Sequence, residues 1–165
     1  MFKKIFAPLV MVGILCSISV AADKFPWDKV QLGNLRLNLS AQEVTQIIPG
    51  QPTRGPEQFW GADGEYHQEW KYPGGGLTLD MVSKNQGGPK SVRSLTITSP
   101  STLQTQKGIR IGSTEPEVNK AYGRFRDAEA SKKGEVFVAG SRYGGLMFNF
   151  QQGRVSSIFI GAAAE

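Results

Sequence analysis

The chain has 165 residues, a formal net charge of +5, a single histidine and a single cysteine. That length suits one domain or two very small ones. One His and one Cys are too few for a transition-metal site of the usual nitrogen and sulfur ligands, and scattered Lys and Arg, with only Lys132-Lys133 adjacent beyond the N-terminal Lys3-Lys4, argue against a nucleic-acid surface.

In chain order, the first feature is a leader. Lys3 and Lys4 precede an apolar run from Phe6 to Val20, closed by the small residues Ser19-Val20-Ala21-Ala22 and followed by Asp23. Charge, apolar core and small-residue site in that order are the pattern of a secretory signal. The run falls short of the roughly 20 residues that span a bilayer. A lipidated cysteine at Cys16 is disfavoured, because Leu15 stands where a small residue is wanted and the apolar run continues past Cys16. Cleavage near Ala22 is therefore expected, giving a periplasmic or secreted product without stable membrane insertion. Loss of Lys3, Lys4 and Cys16 leaves a charge of about +3 and no thiol for a disulfide, a nucleophile or a metal.

The rest of the chain repeats itself. Leu35-Arg36-Leu37-Asn38-Leu39-Ser40-Ala41-Gln42-Glu43-Val44 aligns with Ile109-Arg110-Ile111-Gly112-Ser113-Thr114-Glu115-Pro116-Glu117-Val118. Ser40 and Thr114 are placed to accept a backbone N–H of the first helical turn, and Glu43 and Glu117, three residues on, to bond back. Each motif predicts a short helix, with stripes Val44/Ile47/Ile48 and Val118/Ala121/Tyr122, ended by Pro49-Gly50 and Gly123.

Alternation at period two then predicts strands. In the first copy Tyr66, Gln68, Trp70 and Tyr72 alternate with His67, Glu69 and Lys71, and Leu77, Leu79 and Met81 alternate with Thr78 and Asp80. In the second, Val136 to Tyr143 leads through Gly144-Gly145 to Leu146, Phe148 and Phe150. Both copies close on a Val-x-Ser-aliphatic-x-Ile strand, Val92 to Ile97 and Val155 to Ile160. The segment from Gln51 to Gly64, rich in Pro and Gly, reads as an irregular loop. The expected fold class is α+β: two tandem units, each a short helix followed by a three-stranded antiparallel meander. The expected divisions are residues 1–22 as signal, 23–102 as the first unit and 103–165 as the second.

No catalytic constellation stands out. His67 lies one place off the Tyr66/Trp70 face and reads as an ordinary strand histidine pointing the other way. Asp63 and Glu65 read as solvated charges in a Gly-rich loop. Gly74-Gly75-Gly76, Gly87-Gly88 and Gly144-Gly145 lead into strands rather than helix N-termini, so they are hairpin turns and not phosphate cradles. No catalytic residue, metal ligand or cofactor is expected. The concentration of aromatic residues is the remaining signal, and Tyr and Trp on an uncovered sheet face are favoured anchors for a protein partner. The candidate partner-binding residues are Trp60, Tyr66, Trp70, Tyr72, Phe137 and Tyr143, with Trp70 foremost.

Ile111-Gly112-Ser113 to Val118, Tyr122-Gly123, Trp70-Lys71-Tyr72 and Leu77-Thr78-Leu79 together resemble the SmpA/OmlA (BamE-like) envelope proteins. The doubling is similar to that of the β-lactamase-inhibitory proteins, two units whose joined sheet forms a concave protein-binding face. The outer-membrane-assembly members are lipoproteins with one unit, and the tandem inhibitors carry disulfides, so the resemblance implies a fold and a binding role without naming a partner. The expected function is that of an exported, non-catalytic protein-binding module acting on another envelope or secreted protein, such as an inhibitor of, or immunity factor against, an envelope hydrolase. The competing classes are an envelope scaffold or stress protein and a carboxylate-based hydrolase; the latter lacks a legible His or Cys constellation.

Overall fold

The computed structural model describes residues 24–163, so the expected signal of residues 1–22, with Cys16, lies outside the described residues. Ten strands and two short helices follow one another in the order β1 (Gln31–Leu32), β2 (Leu35–Arg36), α1 (Ala41–Ile47), β3 (Thr53–Arg54), β4 (Gln58–Trp60), β5 (Glu65–Tyr72), β6 (Leu77–Ser83), β7 (Ser91–Thr98), α2 (Glu115–Tyr122), β8 (Val136–Ser141), β9 (Gly144–Gln151) and β10 (Arg154–Gly161). Strands β1 and β2 form a small hairpin. The other eight make one antiparallel sheet in the order β3-β5-β6-β7-β10-β9-β8, with β4 also paired to β5.

This overturns the expectation of two helix-plus-meander units. The described residues are mostly β, a large antiparallel sheet and a small hairpin with two short α-helices. Strands β7 and β10 pair through Leu95–Thr98 and Ser157–Ile160, Ile97 opposite Ile158 and Leu95 opposite Ile160, so the two halves join in one sheet. The helices add little to the core: α1 buries only Val44, and α2 buries only Val118 and Tyr122. At two turns each they lack the length to stand without the sheet beneath them.

The segment expected to be an irregular loop is also corrected, since β3 and β4 lie within it. Thr53 and Arg54 pair with Lys71 and Trp70, and Gln58 to Trp60 pair with His67 to Glu65. Every residue of these two strands is exposed, so no apolar alternation could announce them.

Both helices begin as their sequences dictate. Ser40 and Thr114 each close a full capping box with Glu43 and Glu117, the hydroxyl accepting the N3 amide while the carboxylate accepts the cap amide. Those amide-to-carboxylate bonds hold both carboxyl groups below the usual glutamate range.

One face of the sheet carries the core. Leu77, Leu79 and Met81 of β6, Val92, Leu95 and Ile97 of β7, Phe148 of β9 and Ile158 and Ile160 of β10 pack there with Val44, Val118 and Tyr122 of the helices and Leu32, Leu35 and Leu37 of the small hairpin. The alternate residues point the other way. Thr78, Asp80, Ser94, Thr96, Ser157 and Phe159 are only half-buried, and Glu69, Lys71, Thr98 and Asn149 are exposed. Both helices belong to the core face.

Candidate functional site

The half of the sheet nearest β4 concentrates polar side chains on the helix-free face. Antiparallel register sets Glu69 opposite Asp80, Thr78 opposite Thr96, and Thr96 opposite Phe159. Because side chains alternate, all of these project to the same side. The face is hollowed by a groove of about 740 Å³, lined among others by Trp60, His67, Asp80, Arg93, Thr96 and Phe159.

At the β4 end of the groove His67 is almost fully buried, with 4% of its surface exposed. Its Nδ1 lies 2.8 Å from an Asp80 carboxylate oxygen and its Nε2 lies 2.9 Å from one of Asp63. Asp63 comes from the turn that joins β4 to β5, where its other oxygen accepts the Glu65 amide. Arg93 approaches that same Asp63 carboxylate at 3.8 Å from β7. The indole of Trp60 stacks on the imidazole from the solvent side.

Two carboxylates facing both ring nitrogens favour the protonated ring. A neutral imidazole has one N–H and could satisfy only one of them, whereas the imidazolium donates to both. Burial works to lower the His67 pKa, and the hydrogen bonds and charges of Asp63 and Asp80 outweigh it, so the pKa is raised. Burial likewise pushes Asp63 up, but the bonds from His67 and the Glu65 amide, with the nearby Arg93 charge, hold it below its ordinary value. Burial raises Asp80, against the hydrogen bond and charge of His67 and the charge of Arg93. His67 is thus a charged clamp between the β4–β5 turn and β6. Neither ring nitrogen is free to take a proton from a serine or from water, which a general base requires.

Sequence reasoning missed this cluster by treating His67 as an ordinary strand residue and Asp63 as solvated; Asp63 is only 17% exposed and bonds the ring. The available signal was the pairing of a histidine with a carboxylate four residues before it, at the foot of a hairpin. Among the described residues, no group of three or more His, Cys, Asp or Glu side chains is arranged to hold a metal ion.

The expected aromatic anchors divide in two. Trp70, Tyr72 and Phe137 are core residues, exposed by 3%, 5% and 2%, and offer no surface to a partner. The reason is the face they share: Trp70 pairs with Leu79 and Tyr72 with Leu77, on the side that the helices cover. Gln68, the polar residue on that face, is satisfied internally; its carbonyl accepts the Trp70 indole N–H at 2.9 Å and its amide donates to the Gly55 carbonyl. Arg54 then closes the edge, its guanidinium 4.3 Å over the Trp70 ring. Tyr66 is half-buried against the exposed Phe59, with ring centroids 5.2 Å apart.

Trp60 and Tyr143 do reach solvent, at 40% and 71% exposure. They stand at opposite ends of the sheet, Trp60 on β4 and Tyr143 in the β8–β9 turn, so the structure does not bring them together.

No protein-family model, curated protein or solved structure matches the chain. The resemblance to the envelope proteins therefore stands on the short motifs quoted above.

Proposed function

We propose that the protein is a binding module that receives a segment of another exported protein on the helix-free face of its sheet. The observation that carries the reading is the groove on that face, a polar trough floored by Thr78, Ser94 and Thr96 and walled by Trp60, Arg93 and Phe159. Such a surface offers hydroxyl groups for adaptable hydrogen bonding and two aromatic rings as anchors. A binding role is favoured over a hydrolytic one because the single histidine has both nitrogens committed to carboxylates. Trp60, rather than Trp70, takes the place of principal anchor.

The test uses two baits against an envelope extract, the natural chain and Thr96→Arg, which fills the trough with a long charged side chain on a half-buried outward position. Capture of a stoichiometric partner by the natural chain and its loss with a Thr96→Arg protein of unchanged urea midpoint supports the reading. Equal capture by both sinks it. Turnover of a cell-wall or ester substrate, with no partner captured, would instead place the protein among hydrolases.

A further inference from the structure

A second concavity lies at the β8–β9 end of the sheet and shares no lining residue with the groove of the proposed function. The chain between residues 24 and 29 crosses the β8–β9 hairpin there. Phe25 anchors it, buried against Phe125 with centroids 5.0 Å apart and against Tyr122 at 6.2 Å. Trp27 settles on Gly144, where a Cβ would fall 2.5 Å from the indole Cε2, so only glycine lets the ring lie that close. The result is a groove of about 570 Å³ lined by Lys24, Trp27, Arg124, Phe125, Arg126 and Tyr143.

Its charge is one-sided. Elsewhere Arg36, Lys71, Lys90, Arg93 and Lys132 stand beside carboxylates. Among the described residues no carboxylate lies within 4.0 Å of the cationic groups of Lys24, Arg124 or Arg126. Asp127, next in sequence to Arg126, turns its carboxylate back to the amides of Glu129 and Ala130. The two guanidinium groups rest near aromatic rings, Arg124 at 4.4 Å over Phe125 and Arg126 at 5.7 Å from Phe137. Like charges gathered in a concave site with apolar walls repel one another and focus a positive potential that an anion relieves.

We propose that this groove binds a phosphate monoester carried on a planar ring, with Lys24, Arg124 and Arg126 around the phosphate and Trp27 and Tyr143 against the ring. A phosphate monoester carries roughly −1.5 to −2 at neutral pH, which three cations match better than the single charge of a carboxylate. Guanidinium forks bind its oxygens in pairs. The Tyr143 ring, standing out in solvent, has no core role to account for it.

The probes are phenyl phosphate and inorganic phosphate, titrated into the full chain while the indole N–H resonance of Trp27, assigned with Trp27→Phe, is followed by NMR. The expected result is a saturable shift of that resonance with phenyl phosphate. The double variant Arg124→Gln/Arg126→Gln, both exposed positions, should weaken it by about tenfold or more. Tyr143→Ala should weaken phenyl phosphate and leave inorganic phosphate unchanged. Absence of a saturable shift, or equal binding by the double glutamine variant with its spectrum otherwise intact, overturns the site. Equal affinity for the two probes overturns its preference for a ring.

Discussion

The indole of Trp60 lies flat on the imidazole of His67, with centroids 3.9 Å apart and planes 12° from parallel. A cationic imidazole under an aromatic face gains from the ring quadrupole, and the indole in turn shields the ring from water. The stack ties β4, a strand of three exposed residues, to the sheet, and it sets one wall of the groove. The same histidine therefore holds the edge of the sheet and shapes the surface proposed to bind.

That arrangement makes stability depend on pH in a stated direction. His67 is raised from 6.5 by the carboxylates of Asp63 in the turn and Asp80 on β6, with Arg93 of β7 behind Asp63 and Trp60 of β4 over the ring. A base whose folded pKa is raised contributes stability fully below its unfolded value and loses it as pH climbs through the folded one. Asp80, also raised, acts with the same sign, the folded state holding its proton longer. Urea midpoints should fall as pH rises above the ordinary histidine value of 6.5. In His67→Gln the fall should be flattened. A midpoint that rises with pH over that range contradicts the charged clamp.

The contrast between two tryptophans is the next expectation. Trp70 is buried on the helix-covered face, so Trp70→Ala opens a large cavity and should cost about 3–5 kcal/mol, enough to unfold a domain of ordinary stability. Trp60→Ala should leave the protein folded while exposing the His67 ring and removing the proposed anchor. Paired denaturant melts decide the matter. Equal losses for both variants would mean that the stack contributes as much as the core.

The two caps should respond alike. Ser40 and Thr114 make the same pair of bonds at the same helical positions, so Ser40→Ala and Thr114→Ala should each lose about 1 kcal/mol in urea melts. Loss at one cap alone would show that one helix is held by its packing and not by its start.

Local rules read these features well and assembly rules did not. The capping boxes are legible because a hydroxyl and a glutamate three residues apart act within one turn. The alternating segments near residues 66, 77, 92, 144 and 155 became β5, β6, β7, β9 and β10 because a half-buried strand writes its pairing into its apolar period. Nothing in Leu95 or Ile97 announces that Ile160 and Ile158 lie opposite, so the strands and register of the junction were not legible, although the resemblance implied a joined sheet. The wholly exposed β3 and β4 carry no period at all. The covered face of β5 was hard to read because Gln68 lies on it, and a polar residue with internal partners for both its carbonyl and its amide looks, in sequence, like one facing water. The clamp at His67 depends on Asp80, thirteen positions away and brought near only by the β5–β6 register.

Tyr72 supplies the last expectation. Its hydroxyl is buried without a hydrogen-bond partner among the described residues, although the ring packs into the core beside Leu77. Burial raises the phenol pKa, so the group stays neutral at any ordinary pH, and ionisation offers no relief. An unpaired buried hydroxyl costs about 1–3 kcal/mol relative to one left in water. Tyr72→Phe keeps the ring and deletes only the oxygen, at the small expense of a void too narrow to disturb its neighbours. The variant should therefore be as stable as the natural chain or more stable by about 1 kcal/mol, read as an upward shift of the urea midpoint with unchanged slope. Tyr72→Leu, which removes ring volume as well, should fall below both. A drop on Tyr72→Phe comparable to that of Tyr72→Leu would mean that the hydroxyl makes a stabilising bond in solution.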